Sequence, residues 1–377
     1  MPVWGDDPAI IRCDHRSPPS VPEQAVPEPG DPCPEGARPA AEILSWSRRL
    51  LDPALRNAVE TMPDTMRGVA AYHLGWRDER GHRLAGRAAG AAGKAIRPAL
   101  TLLTARAVGG TAEAALPAAV AVELAHNFSL LHDDVMDGDL TRRHRPTAWT
   151  VFGTGVAVLA GDALLAAAFE ALARGAAPVV PRAVRTLGRA VVDLVEGQSA
   201  DLAFEERGDV TLDECVVMAG RKTGALLGAA CALGADHGGG TADQAARLRA
   251  FGERLGLAFQ LADDLLGIWG DPAVTGKPVH SDLRARKKSL PVVAALTSDT
   301  PAGAELAALY RRAEPLTGDD AARAAELIDA AGGRAWTIAR ADALLAAALR
   351  ELDAADPTPV AAAELQTLAR LIAHRDR

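Results

Sequence analysis

From Ala40 onward the apolar residues of this chain recur at spacings of three and four, and nowhere do they alternate over a convincing length. That period calls for helices that bury one face, and it argues against a sheet. The segment AAEILSWSRRLLDPALRNAVETM, which opens at Ala40, is a clear case. Further helical runs are expected at about 94–108, 112–138, 148–175, 180–206, 211–235, 241–270, 288–298, 302–314, 319–331, 333–353 and 358–374. Breakers separate them: VGGT at 108–111, GADHGGGT at 234–241, GDPAVTGKP at 270–278 and SDTPAG at 298–303. Alanine is abundant and aromatic residues make up only 4%, which favours helix. No repeat of fixed period is present. The expectation is all-α: one helical bundle of ten to thirteen helices over residues 40–377.

Residues 1–39 read differently. Ten of the 24 prolines fall there and no apolar period survives. Such a composition cannot bury enough surface to offset chain entropy, so a disordered Pro-rich tail is expected. It is either passive or an address for a partner. The net charge of −8 leaves no broad basic face, which argues against nucleic acid as a partner. The four cysteines form no CxxC pair, and reduced thiols in a cytoplasm are the plain reading. The first residues lack the charged-then-apolar order of a signal peptide. The most apolar long stretch, GVAVLAGDALLAAAFEALA, carries Asp162 and Glu170, so no transmembrane segment is expected.

Chemistry concentrates in LLHDDVMDGDLTRRHRPT, residues 130–147. Asp133 and Asp137 are spaced i, i+4 and share a helix face, with Asp134 beside them. Like charges at that spacing cost an isolated helix roughly 0.2–0.5 kcal/mol per pair. A hard cation reverses the cost, and Mg²⁺ favours one or two carboxylates plus phosphate oxygens and water. A second acidic pair, Asp263 and Asp264, follows a long apolar run in FQLADDLLGIWGDP. Bare carboxylates emerging from such a wall need counter-ions. Alone, either motif could be a solvated face. Together they suit several Mg²⁺ around one diphosphate.

Cations lie in separate clusters: Lys94 and Arg97; Arg142, Arg143 and Arg145; Arg221 and Lys222, followed by Thr223; Lys277, Arg284, Arg286, Lys287 and Lys288. Arginine forks bind phosphate oxygens in pairs, and lysine supplies a mobile point charge. One cluster alone is more often a solvated surface.

These residues resemble the trans-isoprenyl (polyprenyl) diphosphate synthases of the farnesyl and geranylgeranyl type. The motifs GKAIRP, HNFSLLHDDVMD with TRRHRPT, GDALL, GQSADL, KTG, FQLADDLLGIWGD and TGKPVHSDLRARKKSLP follow in that family's order. The resemblance covers about residues 40–375. It implies a helical bundle around a deep apolar cavity, usually a homodimer, with magnesium as cofactor, three ions per site. It implies Asp133, Asp137 and Asp263 as metal ligands, with Asp134 and Asp264 next to them. It implies Lys94, Arg97, His126 and Arg143 for isopentenyl diphosphate. For the allylic diphosphate it implies Arg142, Lys222, Thr223, Gln260, Lys277 and Lys287. Gln198 and Asp201 match a helix that lines the pocket, and His132 is expected to be structural.

The chain departs from the family's pattern at Ala92 and Ala95, at His280 where glycine is usual, and at Gly267, where many relatives carry a third aspartate. The reaction implied is Mg²⁺-dependent head-to-tail condensation of isopentenyl diphosphate with an allylic diphosphate. A type I terpene cyclase and a non-catalytic scaffold are the alternatives. The retained Lys94, Arg97 and Arg143 speak against the first, and the retained carboxylates against the second. Product length is expected to be set by Phe128 and Ser129, five and four residues before Asp133. One is large and one small, and DDVMD has no insertion, which resembles the C20 producers, with C15 second. The whole chain also resembles actinobacterial synthases packaged in encapsulin-type shells. That makes the tail a candidate address and places the enzyme in the cytoplasm or inside such a shell.

Overall fold

Three helices start at reciprocal threonine caps. Thr211, Thr241 and Thr317 each accept a backbone N–H three residues on, and Glu214, Gln244 and Asp320 bond back to the cap N–H. Each box satisfies two donors that a helix start otherwise leaves open. The computed structural model describes residues 36–84, 93–271, 279–312 and 314–374. The tail's expected disorder and shell partner fall on residues 1–35, outside the described residues; so do Lys277 and Ala92.

The fold is all-α. Its helices are α1 (Ala40–Glu60), α2 (Asp64–His73), α3 (Ile96–Ala107), α4 (Leu116–Met136), α5 (Ala148–Phe152), α6 (Thr154–Ala173), α7 (Val180–Glu206) and α8 (Leu212–Ala219). A π turn at Gly220–Gly224 leads into α9 (Ala225–His237), followed by α10 (Ala242–Trp269), α11 (Ser281–Arg284), α12 (Leu290–Leu296) and α13 (Pro301–Tyr310). Then come α14 (Gly318–Ala330), α15 (Gly333–Ala354) and α16 (Pro359–Ala373).

One core forms where α4 lies along α6, closed by α1, α2 and α7. A second surrounds α10, packed on α9 and α15, with α3 and α16 beyond. Every residue of α9 is buried. Its alanines and glycines let α3 and α10 close on it from both sides. A smaller core joins α12 to α14. Two stretches, Thr154–Ala173 and Leu212–His237, are long and apolar enough to cross a membrane by composition alone. The second is 83% buried within the bundle, and the first packs along α4.

Several expectations need correction. Among the described residues there are sixteen α-helices, above the expected ten to thirteen. The run 148–175 divides at Gly153, whose φ of 89° interrupts it. The run 211–235 divides at the π turn. Helix α2 was not anticipated, and a two-residue hairpin pairs Thr141–Arg142 with Arg145–Pro146.

Candidate active site

The first acidic motif is the last turn of α4. Asp134 is buried there, and Arg142 Nε donates to its Oδ1 at 2.6 Å. Asp133 is half-buried and Asp137 is exposed at the C-cap. Gln198 Nε2, from α7, donates to Asp137 Oδ1 at 3.0 Å. Burial pushes Asp133 up to about 6; Lys222 opposes the rise and Asp137 adds to it. Burial also lifts Asp134 to about 6, against the pull of Arg142.

The hairpin that follows aims the arginines. Its turn residues Arg143 and His144 both have positive φ, 52° and 61°, the backbone of a tight two-residue hairpin but without the usual glycine. That strain is held by its neighbours. Arg145 donates to the carbonyls of Tyr72 and Arg77, both at 3.0 Å, and Arg142 is clamped to Asp134. The Arg143 guanidinium lies against Gly93, where an added Cβ would fall 2.6 Å from its Nη2. It therefore sits beside Lys94 at the approach to α3. Arg97 Nη1 is 3.3 Å from His126 Nε2. Burial, then Arg97 and Arg143, hold His126 well below its ordinary range and therefore neutral. Lys94, Arg97, His126 and Arg143 thus form one basic cluster.

The second acidic motif lies near the end of α10. Asp263 is exposed, whereas Asp264 is buried. Asp264 accepts from the Leu290 N–H at 2.9 Å and from Gln260 Nε2 at 2.7 Å. Gln260 in turn accepts from Thr223 Oγ1 at 2.6 Å. A continuous hydrogen-bonded chain therefore runs from the π turn through α10 to the start of α12. Burial pushes Asp264 up to about 7, although Lys287, the Leu290 N–H and Gln260 all favour its charged form.

The π turn carries Lys222 and Thr223. Single π turns recur at functional sites because the extra residue re-aims side chains. At the crossing, α7 comes so close that a Cβ on Gly197 would lie 2.3 Å from the Lys222 backbone nitrogen, so glycine is required there. Lys222 Nζ donates to Asp201 Oδ2 at 2.5 Å. Burial favours a neutral Asp201, but Lys222 and Lys287 outweigh it and hold its pKa low. Burial likewise opposes the charge on Lys287, and Asp201, Asp282, Asp264 and Asp263 together outweigh it. Lys222 thus joins Asp133 to Asp201, and Lys287 joins Asp201 to the second motif.

Among the described residues, no three His, Cys, Asp or Glu side chains already form a cage for an ion. Asp133 and Asp137 come from one helix end and Asp263 from another, all with hard carboxylate oxygens. That open donor set fits Mg²⁺, which keeps room for phosphate oxygens and water.

Two departures from the expected pattern prove conformationally conservative. Ala95, one of the replaced residues of the first cation motif, and His280, where glycine was anticipated, both take the left-handed backbone, with φ of 49° and 61°. The geometry a glycine would give is kept at a strain of roughly 1–2 kcal/mol each. Phe128 and Ser129 are both buried. Ser129 shares its helix face with Asp133, while Phe128 meets His132 edge-on at 4.8 Å. His132 Nε2 lies 2.9 Å from the Val158 carbonyl of α6, in keeping with a structural role.

Residue reading missed two acids. Glu123 is buried one turn before the basic cluster and faces Arg97 and Arg143. As the lone acid in AAVAVELAHNF it carried a signal. Asp282 lies inside a recognised motif but drew no role.

A family model described as polyprenyl synthetase matches residues 82–328. The chain is 46% identical over 336 residues to a (2E,6E)-farnesyl diphosphate synthase of Mycobacterium tuberculosis, spanning 88% of this chain and 92% of the relative. It is also 46% identical over 335 residues to a geranylgeranyl diphosphate synthase of that organism, spanning 89% and 93%. A polyprenyl synthetase crystal structure from Streptomyces coelicolor A3(2) is 45% identical, with a TM-score of 0.83 over 88% of this chain and 99% of that one.

Proposed function

The chain belongs to the polyprenyl synthetase family and is an enzyme of prenyl chain elongation, and from that premise we propose its substrates, its residue roles and its product. Isopentenyl diphosphate is the acceptor, held by Lys94, Arg97, Arg143 and neutral His126. An allylic diphosphate is the donor, held by Arg142, Lys222, Lys277 and Lys287. The observation that carries this reading is the alternating run of charges from Asp133 through Lys222, Asp201 and Lys287 to Asp263, in which Lys222 and Asp201 are in direct contact. It ties two acidic helix ends and two lysines around one site, beside a separate basic cluster.

Magnesium, the family's cofactor, would be held by Asp133, Asp137 and Asp263, three ions per site, and would neutralise charge on the departing pyrophosphate. The protein does the rest. Lys222 and Lys287 hold the diphosphate oxygens as the allylic carbon–oxygen bond breaks. The fixed Thr223–Gln260 pair presents preorganised dipoles to the allylic cation. The isopentenyl double bond then attacks that cation, and a proton leaves the adduct, pyrophosphate being the base. The buried alanines and leucines around the site exclude water that would quench the cation.

The growing chain extends into an apolar cavity along α4, and Ser129, below Asp133, leaves room for it. We assign geranylgeranyl diphosphate as the main product and farnesyl diphosphate as the second. The two mycobacterial relatives, equally similar to this chain, carry both names. Each isoprene unit needs room for five carbons, and a buried methylene is worth about 0.8 kcal/mol, so bulk at position 129 is a strong stop. Purified enzyme with Mg²⁺, isopentenyl diphosphate and each allylic primer should give linear C20 product, and Ser129→Phe should shift it towards C15. Cyclised product, or none with any primer, would overturn the assignment.

The working form is a homodimer. Helix α6 is strongly apolar yet only 44% buried, and Leu159 on α6 and Val192 and Val195 on α7, which packs against it, are exposed. A second copy is the occupant that matches this face to itself.

A further inference from the structure

We infer that Arg221, a cation to which no role has yet fallen, is the positioning residue that aims Lys222 at the allylic diphosphate. The inference rests on the proposed role of Lys222 and concerns the same site. The π turn Gly220–Gly224 lies between two glycine crossings. On one side a Cβ at Gly197 of α7 would fall 2.3 Å from the Lys222 backbone nitrogen. On the other, a Cβ at Gly256 of α10 would fall 2.6 Å from Gly224 Cα. Backbones this close allow the turn to be gripped from both sides, but neither glycine offers a side chain to fix its rotation. The turn's own side chains have to do that.

Three consecutive ones do. Thr223 Oγ1 donates to Gln260 of α10 at 2.6 Å. Lys222 Nζ donates to Asp201 of α7 at 2.5 Å. Arg221 Nη1 lies 3.0 Å from Glu196 Oε2, again on α7. Along α7, Asp193, Gly197 and Asp201 recur every four residues and share one face: acid, gap, acid. The turn crosses at the gap and its two cations part there, Lys222 to Asp201 and Arg221 towards the other end of the row. Burial raises the pKa of Asp193, and Arg221 is the cation that opposes the rise most, so it stands near Asp193 as well as Glu196. The Lys222–Asp201 contact has to loosen when Nζ turns to a diphosphate. The Arg221–Glu196 pair shares no group with either substrate site and holds through that movement. Glu196 is half-exposed in the pair, and ion pairs of that kind add little to stability, so what the pair contributes is aim.

Two other roles compete: a plain surface ion pair, and direct binding of the diphosphate by Arg221. Steady-state kinetics of the full-length enzyme with Mg²⁺, isopentenyl diphosphate and geranyl diphosphate separate them, with thermal unfolding recorded beside. Arg221→Ala should lower kcat/KM for the allylic substrate about tenfold, the scale of a slightly misplaced group. The KM for isopentenyl diphosphate should stay as in wild type, and the melting temperature should stay within about 3 °C. Arg221→Lys, which keeps the charge, should recover most of the loss. In a Lys222→Ala background, Arg221→Ala should cost nothing further, because it acts only through Lys222. Wild-type allylic kinetics in Arg221→Ala, an equal rise in the isopentenyl KM, or full additivity with Lys222→Ala would each overturn the inference. Wild-type allylic kinetics in Lys222→Ala alone would instead break the reading of the site itself.

Discussion

The two acidic motifs look alike in sequence, yet the two helix ends use them differently. Each holds one buried aspartate and at least one turned outward. At the end of α4 the buried Asp134 clamps Arg142 and so fixes a strained hairpin that aims Arg143. Near the end of α10 the buried Asp264 receives the first N–H of α12 and locks Gln260 to Thr223. The first motif adds a second outward carboxylate at its own helix end, Asp137. The second stops at Gly267 and meets a carboxylate from α11. Adjacent aspartates are therefore not interchangeable: one of each pair is held inside by hydrogen bonds and the other is more exposed.

That division can be broken by substitution. Asp133→Ala and Asp263→Ala should each lower turnover at least about 10³-fold, since metal stabilisation of a departing anion is worth several kcal/mol. Neither should lower the melting temperature. Asp264→Ala should be chiefly a folding defect. It removes one of the carboxylates around Lys287 and leaves the Leu290 N–H and Gln260 amide without their acceptor, a loss of about 3 kcal/mol. The melting temperature should fall by roughly 6 °C or more. Equal unfolding curves for Asp263→Ala and Asp264→Ala would contradict the distinction.

The cation clusters sharpen the same contrast. Lys94→Ala and Arg97→Ala should raise the KM for isopentenyl diphosphate about tenfold, with kcat little changed, as loss of uniform binding requires. A larger effect on the allylic KM would exchange the two subsites. The smallest expected effect has the opposite sign. Ala95→Gly and His280→Gly should each stabilise the fold by about 1 kcal/mol, because glycine relieves the left-handed strain. Destabilisation by either would mean that the side chain, rather than the backbone, matters there.

Much of this was legible in the residues. The spacing of apolar positions yields the helical class, and Val180–Glu206 is bounded as expected. Interruptions were harder to read. GRKTG continues the helical composition, so nothing local distinguishes a π turn from an α turn. Its cause is distant: α7 crosses at Gly197 and dictates how the Lys222 backbone must run. The hairpin turn at Arg143 and His144 lacks Asn or Gly, and tertiary clamps make it possible. The acidic motifs were visible, but which aspartate of each pair is buried depends on what packs above it. Leu290, 26 residues along the chain from Asp264, carries no hint of the hydrogen bond it donates.

A crystal structure with Mg²⁺, isopentenyl diphosphate and a non-reactive thiolo analogue of the allylic diphosphate tests this division of labour most directly. Metal should be found on Asp133, Asp137 and Asp263, with Asp264 still accepting from Leu290 N–H and Gln260. Asp264 released from those partners and ligating metal, or Asp263 turned away from it, would contradict the assignment.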